Sequence, residues 1–414
     1  MPELRRRPRI LFVAPFGLGK KATVWARILP LARFLAAQDC FVTLLIPPWD
    51  TPADAGRRWG DKGVEIIHTE LWGGPLFVLR RLLAEIDKQQ PDIVHIVKPR
   101  AYAGLVQWML WQRQGRAGRE GAPRGPWIVL DVDDWEQAWS GIGGYHPLMA
   151  RFLEWQERWG FVHAHAITAA SGWLLHKASE LAPGTPALYL PNGVVPPARP
   201  APRPAFDIHR PPTILWFTRF MEVEPAWMGR WWQAMAAARP DIHLLVAGAP
   251  LQQGRNGPFR MALGRGDDAV TWLGYVPAAQ LADVYARSDC AIFPADNIPL
   301  NQAKCSVKVA NTLLEGVPVI ASAVGEQARY GADGAARLVP ADASPEEFAA
   351  AVDDVLSRPG EQAELALRAR TWLLSRYNWE QLGEELLGLY RQLLQTTRPS
   401  AQDVTKRAYY NRAR

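Results

Sequence analysis

The chain has 414 residues, of which 48% are hydrophobic and 21% are charged. This composition is typical of an ordered globular protein and argues against a disordered one, and the length predicts two or three domains. The formal net charge of +6 is spread along the chain. It argues against a nucleic-acid partner and suits anionic ligands or an anionic membrane surface.

Three cysteines, Cys40, Cys290 and Cys305, do not form a C-x-x-C pair. They are too few for a disulfide framework, so we expect a reducing, cytoplasmic setting. No apolar run approaches the roughly 18 residues of a membrane span. The apolar stretch near the N-terminus is stopped by Pro15 and Gly17, so it predicts a first strand and not a signal peptide.

Short apolar runs alternate with segments of helical periodicity through the first half. The runs lack two-residue alternation, so we expect strands covered on both faces, as in a parallel sheet. The predicted strands are 10–15, 41–47, 92–97, 127–132, 166–171 and 187–191.

A proline-rich break follows at 194–213, with seven prolines and no periodicity, which predicts a semi-rigid linker. The alternation then resumes, so the fold class is α/β, with two doubly wound Rossmann-like domains. The second set of predicted strands is 213–218, 242–248, 270–274, 290–295, 318–322 and 336–340.

We therefore predict an N-terminal domain over 1–198 and a second domain over 199–376. A C-terminal helix over 377–398 is expected to return to the first domain, and 399–414 is a polar, basic tail. The carboxyl ends of the two sheets are expected to face a cleft between the domains, where ligands of such folds bind.

Gly17 and Gly19 follow the first predicted strand. Glycine there lets the backbone approach a ligand, so both are candidates for lining the substrate cleft. A role confined to the turn is the alternative. The dinucleotide pattern G-x-G-x-x-G fails at Ala22.

The segment SVKVANTLLEGVPVIAS, 306–322, is the most informative. Ser306 is a predicted N-cap of a helix that ends at Gly316. Lys308 and Asn311 lie three residues apart on it, so a cation, an amide and a positive helix end would meet a diphosphate and its ribose. A plain surface lysine and asparagine are the alternative.

This segment resembles the donor-binding segment of the GT-B glycosyltransferases of family 4, also called group 1. Further resemblances follow in the family's order from about residue 9 to 394. They are the glycine loop at 17–19, DIVHIV, AITAASGWL, LPNGVV, ILWFTRF, LLVAGAP, VTWLGYVPAAQLADVYARSDCAIFPA and YNWEQL.

The resemblance implies that Arg219 contacts the donor diphosphate, a role that suits a guanidinium fork. Three positions depart from the family. Glu224 replaces a second cation, Asn311 replaces the glutamate that binds the ribose, and Ala303 replaces another acid. We expect Lys304, together with Lys308, to supply the missing positive charge.

Many family members carry a His-Asp pair where this chain has Asp133 and Asp134, preceded by Asp131. We predict Asp133 and Asp134 as catalytic carboxylates that accept a proton or stabilise an oxocarbenium-like centre. Helix capping by Asp134 is the alternative. The acids also suit Mg²⁺ or Mn²⁺, but GT-B enzymes do not as a rule need one, so we expect no metal and no cofactor.

His95 and Lys98 lie at the end of DIVHIVKPR, at a predicted strand edge. We include both among substrate-cleft candidates, with a structural histidine as the alternative for His95. Helix 102–119 combines apolar residues with a basic end, which suggests peripheral contact with a membrane surface, such as the inner face of the cell membrane.

The resemblance implies a cytoplasmic glycosyltransferase of hexosyltransferase type, active in polysaccharide biosynthesis. It would move a sugar from a nucleotide-diphosphate donor to a glycan, lipid-linked or small-molecule acceptor, with retained configuration. Two alternatives remain: another GT-B nucleotide-sugar enzyme, such as an epimerase, and a non-catalytic protein that binds sugar nucleotides.

Overall fold

The computed structural model of the chain describes residues 6–19, 23–119, 125–140, 144–196, 210–250, 254–264 and 269–396. The chain divides into two compact units: unit 1 comprises 1–193 and 379–414, and unit 2 comprises 194–378. Most of the predicted linker and the whole predicted tail from residue 399 lie outside the described residues. The cleft between the predicted domains stays a prediction.

Unit 1 contains an eight-stranded sheet in the order β3-β4-β2-β1-β5-β6-β7-β8. All neighbouring strands are parallel except β3, which runs antiparallel to β4. The strands are β1 Arg9–Val13, β2 Phe41–Ile46, β3 Arg58–Asp61, β4 Val64–His68, β5 Ile93–Val97, β6 Trp127–Val132, β7 Ala166–Ala169 and β8 Ala187–Tyr189.

Helices connect these strands and cover the sheet. Every residue of β5 and β6 is buried. Because successive side chains of a strand point to opposite faces of the sheet, both faces are covered here, as the continuous apolar runs predict. The helices are α1 Leu29–Ala37, α2 Pro75–Gln89, α3 Ala101–Arg119, α4 Glu136–Ser140, α5 Pro147–Val162 and α6 Gly172–Leu181, with a π-helical turn at Thr23–Ile28 and a 3-10 turn at Pro52–Asp54.

Unit 2 contains a six-stranded parallel sheet in the order β11-β10-β9-β12-β13-β14. The strands are β9 Thr213–Phe217, β10 His243–Ala247, β11 Val270–Gly274, β12 Cys290–Phe293, β13 Val319–Ser322 and β14 Arg337–Val339. The helices are α7 Pro225–Ala238, α8 Gly257–Ala262, α9 Ala278–Ala286, α10 Pro299–Ala303, α11 Val307–Leu314, α12 Gly325–Tyr330, α13 Pro345–Ser357 and α14 Pro359–Arg376. The predicted α/β class with two mainly parallel sheets is confirmed.

The C-terminal helix, α15 Trp379–Gln395, contributes to the core of unit 1. Leu382, Leu386 and Tyr390 are buried in the same apolar cluster as residues of β1 and β2. Gly383 permits close packing on α1, since a Cβ atom there would lie 2.2 Å from Cδ1 of Phe34.

The apolar side chains of helix α3 do not form an exposed surface. Val106 and Leu110 are buried, and Trp108, Met109 and Trp111 are only partly accessible. This packing within unit 1 gives no support to the predicted membrane contact through α3, which stays a prediction. Within the described ranges, no helix is long and apolar enough to cross a membrane.

Candidate active site

Polar side chains follow three neighbouring strands of unit 1. β1 leads into the π-helical turn at Thr23–Ile28, β5 is followed by Lys98, and β6 by Asp133. Because neighbouring parallel strands end at the same sheet edge, these groups meet there. A π-helical turn is rare and often marks a functional site.

Arg27, from that turn, forms a buried ion pair with Asp131 of β6. Its Nε donates to Oδ2 at 2.9 Å and its Nη2 to Oδ1 at 2.7 Å, while the Thr168 hydroxyl donates to Oδ1 at 2.6 Å. Burial opposes the charge of Asp131, but Arg27 and these hydrogen bonds lower the pKa of its carboxyl. Both partners are fully buried, so the pair joins the π-helical turn to β6.

Lys98 is held among three carboxylates. Its Nζ lies 3.0 Å from Oδ1 of Asp133, 3.0 Å from Oδ2 of Asp134 and 3.4 Å from Oε1 of Glu136. Burial disfavours the ammonium, yet the three acids raise the pKa of Lys98 well above its ordinary value. Lys98 has a left-handed backbone with φ of 60°, an uncommon conformation that aims its side chain at the acids.

Asp133 is the acid best suited to proton transfer. The Thr23 hydroxyl donates to its Oδ2 at 2.9 Å, and its side chain is nearly buried. Burial, together with the charges of Asp134 and Asp131, raises the pKa of Asp133 to about 6 against the opposing charge of Lys98. A carboxyl with a pKa near neutrality can both take up and release a proton under ordinary conditions.

Asp134 and Glu136 have other surroundings. Asp134 is more exposed than Asp133 and shares Lys98 with it, whereas Glu136 also binds Arg100. The capping alternative for Asp134 finds no support, because the backbone N–H groups of Glu136 and Gln137 donate to Glu157 at 2.7 and 3.1 Å. Burial raises the pKa of Glu157 to about 8.

His95 does not line a substrate site, so that prediction is wrong. Its ring is 0% exposed, with Nδ1 2.5 Å from the Tyr390 hydroxyl and Nε2 3.3 Å from the Thr168 hydroxyl. Burial lowers the pKa of His95 to about 4, so the ring is neutral at pH 7. His95 joins β5 to helix α15 within the core of unit 1.

Gly17 and Gly19 pack against the loop after β2. A Cβ atom on Gly17 would lie 2.2 Å from the Thr51 hydroxyl, and one on Gly19 would lie 2.8 Å from Thr51 Cγ2. The Gly17 amide donates to Oδ1 of Asp50 at 2.6 Å. These contacts support the alternative, in which the two glycines serve only the turn. The Gly17 amide is already bound to a carboxylate of the chain.

In unit 2, the loop after β9 wraps around Glu222. The Glu222 carboxylate accepts bonds from the Thr218 hydroxyl at 2.8 Å and from the amides of Arg219 and Met221 at 3.2 and 3.1 Å. Phe220, between them, has φ of 61°. The loop is thus fixed by the chain's own carboxylate, and Arg219 projects from it as an exposed side chain.

Three cations surround this loop. Lys304 Nζ is 3.9 Å from Glu222 Oε1, and Lys308 Nζ lies 4.7 Å from the centre of the Phe217 ring. Burial, together with the charges of Arg219 and Lys304, lowers the pKa of Lys308 to about 8 against the opposing charge of Glu222. Burial disfavours the Glu222 carboxylate, but Lys304 and Lys308 bring its pKa down to about 2. Lys304 and Lys308 thus add positive charge to this loop, and their role in donor binding stays a prediction.

The remaining predicted donor residues lie on or beside helices α11 and α7. Ser306 occupies the N-cap position of α11, as predicted, although its side chain makes no capping hydrogen bond. Asn311 is exposed on α11. Glu224 is exposed at the start of α7 and takes no part in the hydrogen bonds of Glu222 described above.

In the part of the chain that the structure describes, no group of three His, Cys, Asp or Glu side chains is arranged to hold a metal ion. Among the acids of unit 1, the Lys98 ammonium takes the central position.

Comparison with known proteins identifies the family. Residues 211–358 match the glycosyl transferases group 1, and residues 24–197 match glycosyltransferase family 4. The chain belongs to the group 1, family 4 glycosyltransferases. One match lies in each unit, and both name the family that the sequence resemblance implies.

Similar proteins agree with this family. A D-inositol 3-phosphate glycosyltransferase of Stackebrandtia nassauensis is 28% identical over 161 residues, 38% of this chain and 35% of that protein. One of Acidothermus cellulolyticus is 27% identical over 172 residues, 39% of this chain and 36% of that protein. The match thus spans about a third of the length of these relatives.

Solved structures share the fold across nearly the whole chain. Sucrose-phosphate synthase from Thermosynechococcus elongatus has a TM-score of 0.69 at 19% identity, with 94% of this chain and 99% of that chain covered. Anabaena HepE in complex with UDP-glucose has a TM-score of 0.61 at 13% identity, with 93% and 99% covered. These structural similarities confirm the GT-B fold class.

Sequence reasoning missed four residues of the two sites: Thr23, Arg27, Glu136 and Glu222. Thr23 and Arg27 lie four residues apart in the helical segment after the first predicted strand, but this spacing alone does not indicate a site. Glu222 lies two residues before Glu224. The family resemblance singled out Glu224, whereas the loop forms its hydrogen bonds with Glu222.

Proposed function

We propose that this chain is a glycosyltransferase that moves a sugar from a nucleotide-diphosphate donor to a hydroxyl group of an acceptor. The observation that carries the proposal is the cluster of Arg219, Lys304 and Lys308 around a loop at the carboxyl ends of β9 and β12. Three cations against one carboxylate leave an excess of positive charge, which suits a diphosphate. The similar HepE protein has been solved in complex with UDP and with UDP-glucose, which supports a nucleotide-sugar donor.

We assign the acceptor side to unit 1. A hydroxyl oxygen attacks the anomeric carbon, the bond from that carbon to the phosphate oxygen breaks, and the nucleoside diphosphate leaves. The hydroxyl proton passes to the Asp133 carboxylate, while Lys98 holds Asp133 and Asp134 in position. The family resemblance favours retention of configuration and a reaction without a metal cofactor.

We also propose a cytoplasmic place for the reaction and a glycan or lipid-linked acceptor of polysaccharide biosynthesis. The inositol phosphate in the names of the curated relatives makes a polar, hydroxyl-rich small acceptor a reasonable first choice for assays. The acids of unit 1 suit hydroxyl groups, because carboxylates accept hydrogen bonds from them.

Two measurements test the proposal. First, a panel of UDP-, GDP- and ADP-sugars is screened for thermal stabilisation, since a ligand that binds only the native state raises its melting temperature. Second, release of nucleoside diphosphate is measured with and without a panel of sugar and polyol acceptors. A transferase releases nucleotide in an acceptor-dependent manner. An epimerase changes the sugar and releases none, and a non-catalytic protein binds the donor without turnover; either result would reject the proposal.

A further inference from the structure

The amino group of Lys308 lies against an aromatic ring. Lys308 is in the first turn of α11, and its Nζ is 4.7 Å from the centre of the ring of Phe217, the last residue of β9. In the part of the chain that the structure describes, Lys308 forms no ion pair with a carboxylate. Lys98 of unit 1 differs in this respect, because its ammonium lies among three acids.

Glu222 is the acid whose charge acts on Lys308, but its carboxylate is bound elsewhere. It accepts hydrogen bonds from the Thr218 hydroxyl and from two backbone amides of the loop after β9. Its other oxygen lies 3.9 Å from Nζ of Lys304. Glu222 therefore offsets the charge of Lys308 from a distance and does not hold its nitrogen in a hydrogen bond.

The surroundings of Lys308 favour the uncharged amine. Burial, with the charges of Arg219 and Lys304, lowers the pKa of Lys308 to about 8 against the opposing charge of Glu222. At pH 7.4 about a fifth of such a lysine is neutral, against about a thousandth of an ordinary exposed lysine. The neutral amine is the nucleophile, and burial beside another cation is a known way of activating a lysine.

Two further cations beside Lys308 can bind a phosphate. Arg219 is exposed, and the Lys304 side chain is partly accessible. A phosphate monoester carries between one and two negative charges near pH 7, and a guanidinium binds its oxygens in a bidentate manner. A small molecule with both a phosphate and an aldehyde would therefore be held with its carbonyl carbon close to the amine, which favours the reaction between them.

We propose that Lys308 is a site of reversible covalent modification by small phosphorylated aldehydes. Arg219 and Lys304 bind the phosphate, and the lone pair of the Lys308 nitrogen attacks the carbonyl carbon. The two protons of the amine pass to the carbonyl oxygen, which leaves as water, and a C=N double bond remains. The step needs no oxidant or reductant, and water reverses it.

This modification would occupy the cations that we propose for the donor diphosphate. A phosphorylated aldehyde bound there would exclude the nucleotide sugar, so the modified protein would be inhibited. This consequence rests on the proposed sugar transfer, but imine formation itself does not.

The test is labelling of the full chain with pyridoxal 5′-phosphate or with pyridoxal, which lacks the phosphate. Borohydride then reduces the imine to a stable secondary amine, and mass spectrometry of peptides locates the modified lysines. With pyridoxal phosphate, we expect Lys308 to be the main site, and pyridoxal should label it at least about 10-fold less. Arg219→Ala and Lys304→Gln should each lower the labelling of Lys308 about 10-fold, and excess UDP should suppress it.

The pH dependence separates an activated lysine from an ordinary one. Between pH 7 and pH 9, labelling of Lys308 relative to the exposed lysines should fall about 10-fold, because Lys308 is already mostly neutral at pH 9 while an ordinary lysine still gains neutral amine about tenfold per pH unit. A constant ratio would contradict the proposal.

Lys88→Arg is the matched control, because Lys88 of unit 1 is exposed and lies 3.9 Å from Glu85. It should leave the labelling of Lys308 unchanged, whereas Lys308→Arg should remove the main label, and thermal melts should show that both variants are folded. Labelling spread evenly over exposed lysines, or equal labelling of Lys308 by pyridoxal, overturns the proposal. UDP binding in calorimetry without labelling of Lys308 rejects the modification site alone, while labelling of Lys308 that UDP does not suppress supports the modification site and rejects the donor assignment.

Discussion

Lys308 offers a test of the donor site that depends on pH. Burial, with the charges of Arg219 and Lys304, lowers its pKa to about 8. The lysine is therefore mostly charged at pH 7, but only about a tenth remains charged at pH 9, one unit above that value. If the charged form binds the phosphates, donor affinity should fall about 10-fold between pH 7 and pH 9.

The sign follows from linkage. A bound diphosphate favours the ammonium and raises the pKa of Lys308, so binding takes up a proton above pH 8, and affinity falls as pH rises. The loss has a limit, because a charge-assisted hydrogen bond contributes about 1.5–3 kcal/mol, or roughly 10- to 100-fold. The UDP phosphate changes its own charge near pH 6, so measurements above pH 7.5 isolate the lysine.

Isothermal titration with UDP from pH 7.5 to 9.5, in two buffers of different ionisation enthalpy, measures both affinity and proton uptake. Lys308→Arg keeps its charge over this range and should give a nearly flat profile. Lys308→Met should weaken binding about 10- to 100-fold at pH 7.5 and also give a flat profile. A wild-type affinity that varies less than twofold, or a Lys308→Met variant with the wild-type slope, would refute the reasoning.

Three further predictions concern single side chains. Arg219→Ala should weaken UDP binding about 10- to 100-fold in titration calorimetry without lowering the melting temperature, whereas Glu224→Lys should leave binding unchanged or tighten it. Asp133→Asn should lower turnover by about 10²-fold or more in a nucleotide-release assay, with nearly unchanged donor affinity. Asp134→Asn should cause a smaller loss of turnover, and wild-type turnover in both variants would reject the catalytic assignment. Arg27→Met should destabilise unit 1 by about 3–5 kcal/mol in urea unfolding, because Asp131 is left buried without its partner, and a loss below about 1 kcal/mol would contradict this.

The strands could be predicted from the sequence because burial leaves a local signal. The segments predicted at 127–132 and 290–295 contain strands β6 and β12, which are buried along their whole length, since continuous apolar residues report coverage of both faces. The hairpin of β3 and β4 was missed. Its turn, Lys62 and Gly63, has positive φ at both residues, which fits a two-residue hairpin turn, but Lys-Gly is a weaker signal than Asn-Gly.

The candidate sites could be predicted only in part, because the decisive contacts join distant residues. Asp133 and Arg219 were predicted, since each directly follows an apolar run. The pairing of Arg27 with Asp131 joins residues 104 positions apart, and nothing local distinguishes a buried arginine from an exposed one. Lys98 was predicted as a ligand-binding cation, whereas the structure pairs it with acids that arrive with the next strand.

The balance of charge within each unit supports the division of roles. In unit 1, Arg27, Lys98 and Arg100 are matched by the four acids Asp131, Asp133, Asp134 and Glu136. A diphosphate at that sheet edge would meet four carboxylates, and the three cations there are already paired with them. In unit 2, Lys304 and Lys308 lie beside the Glu222 carboxylate, and the lowered pKa of Lys308 reflects, after burial, the repulsion from Arg219 and Lys304. A bound anion would relieve that repulsion, which supports our proposal that unit 2 binds the phosphates and unit 1 the hydroxyl groups of the acceptor.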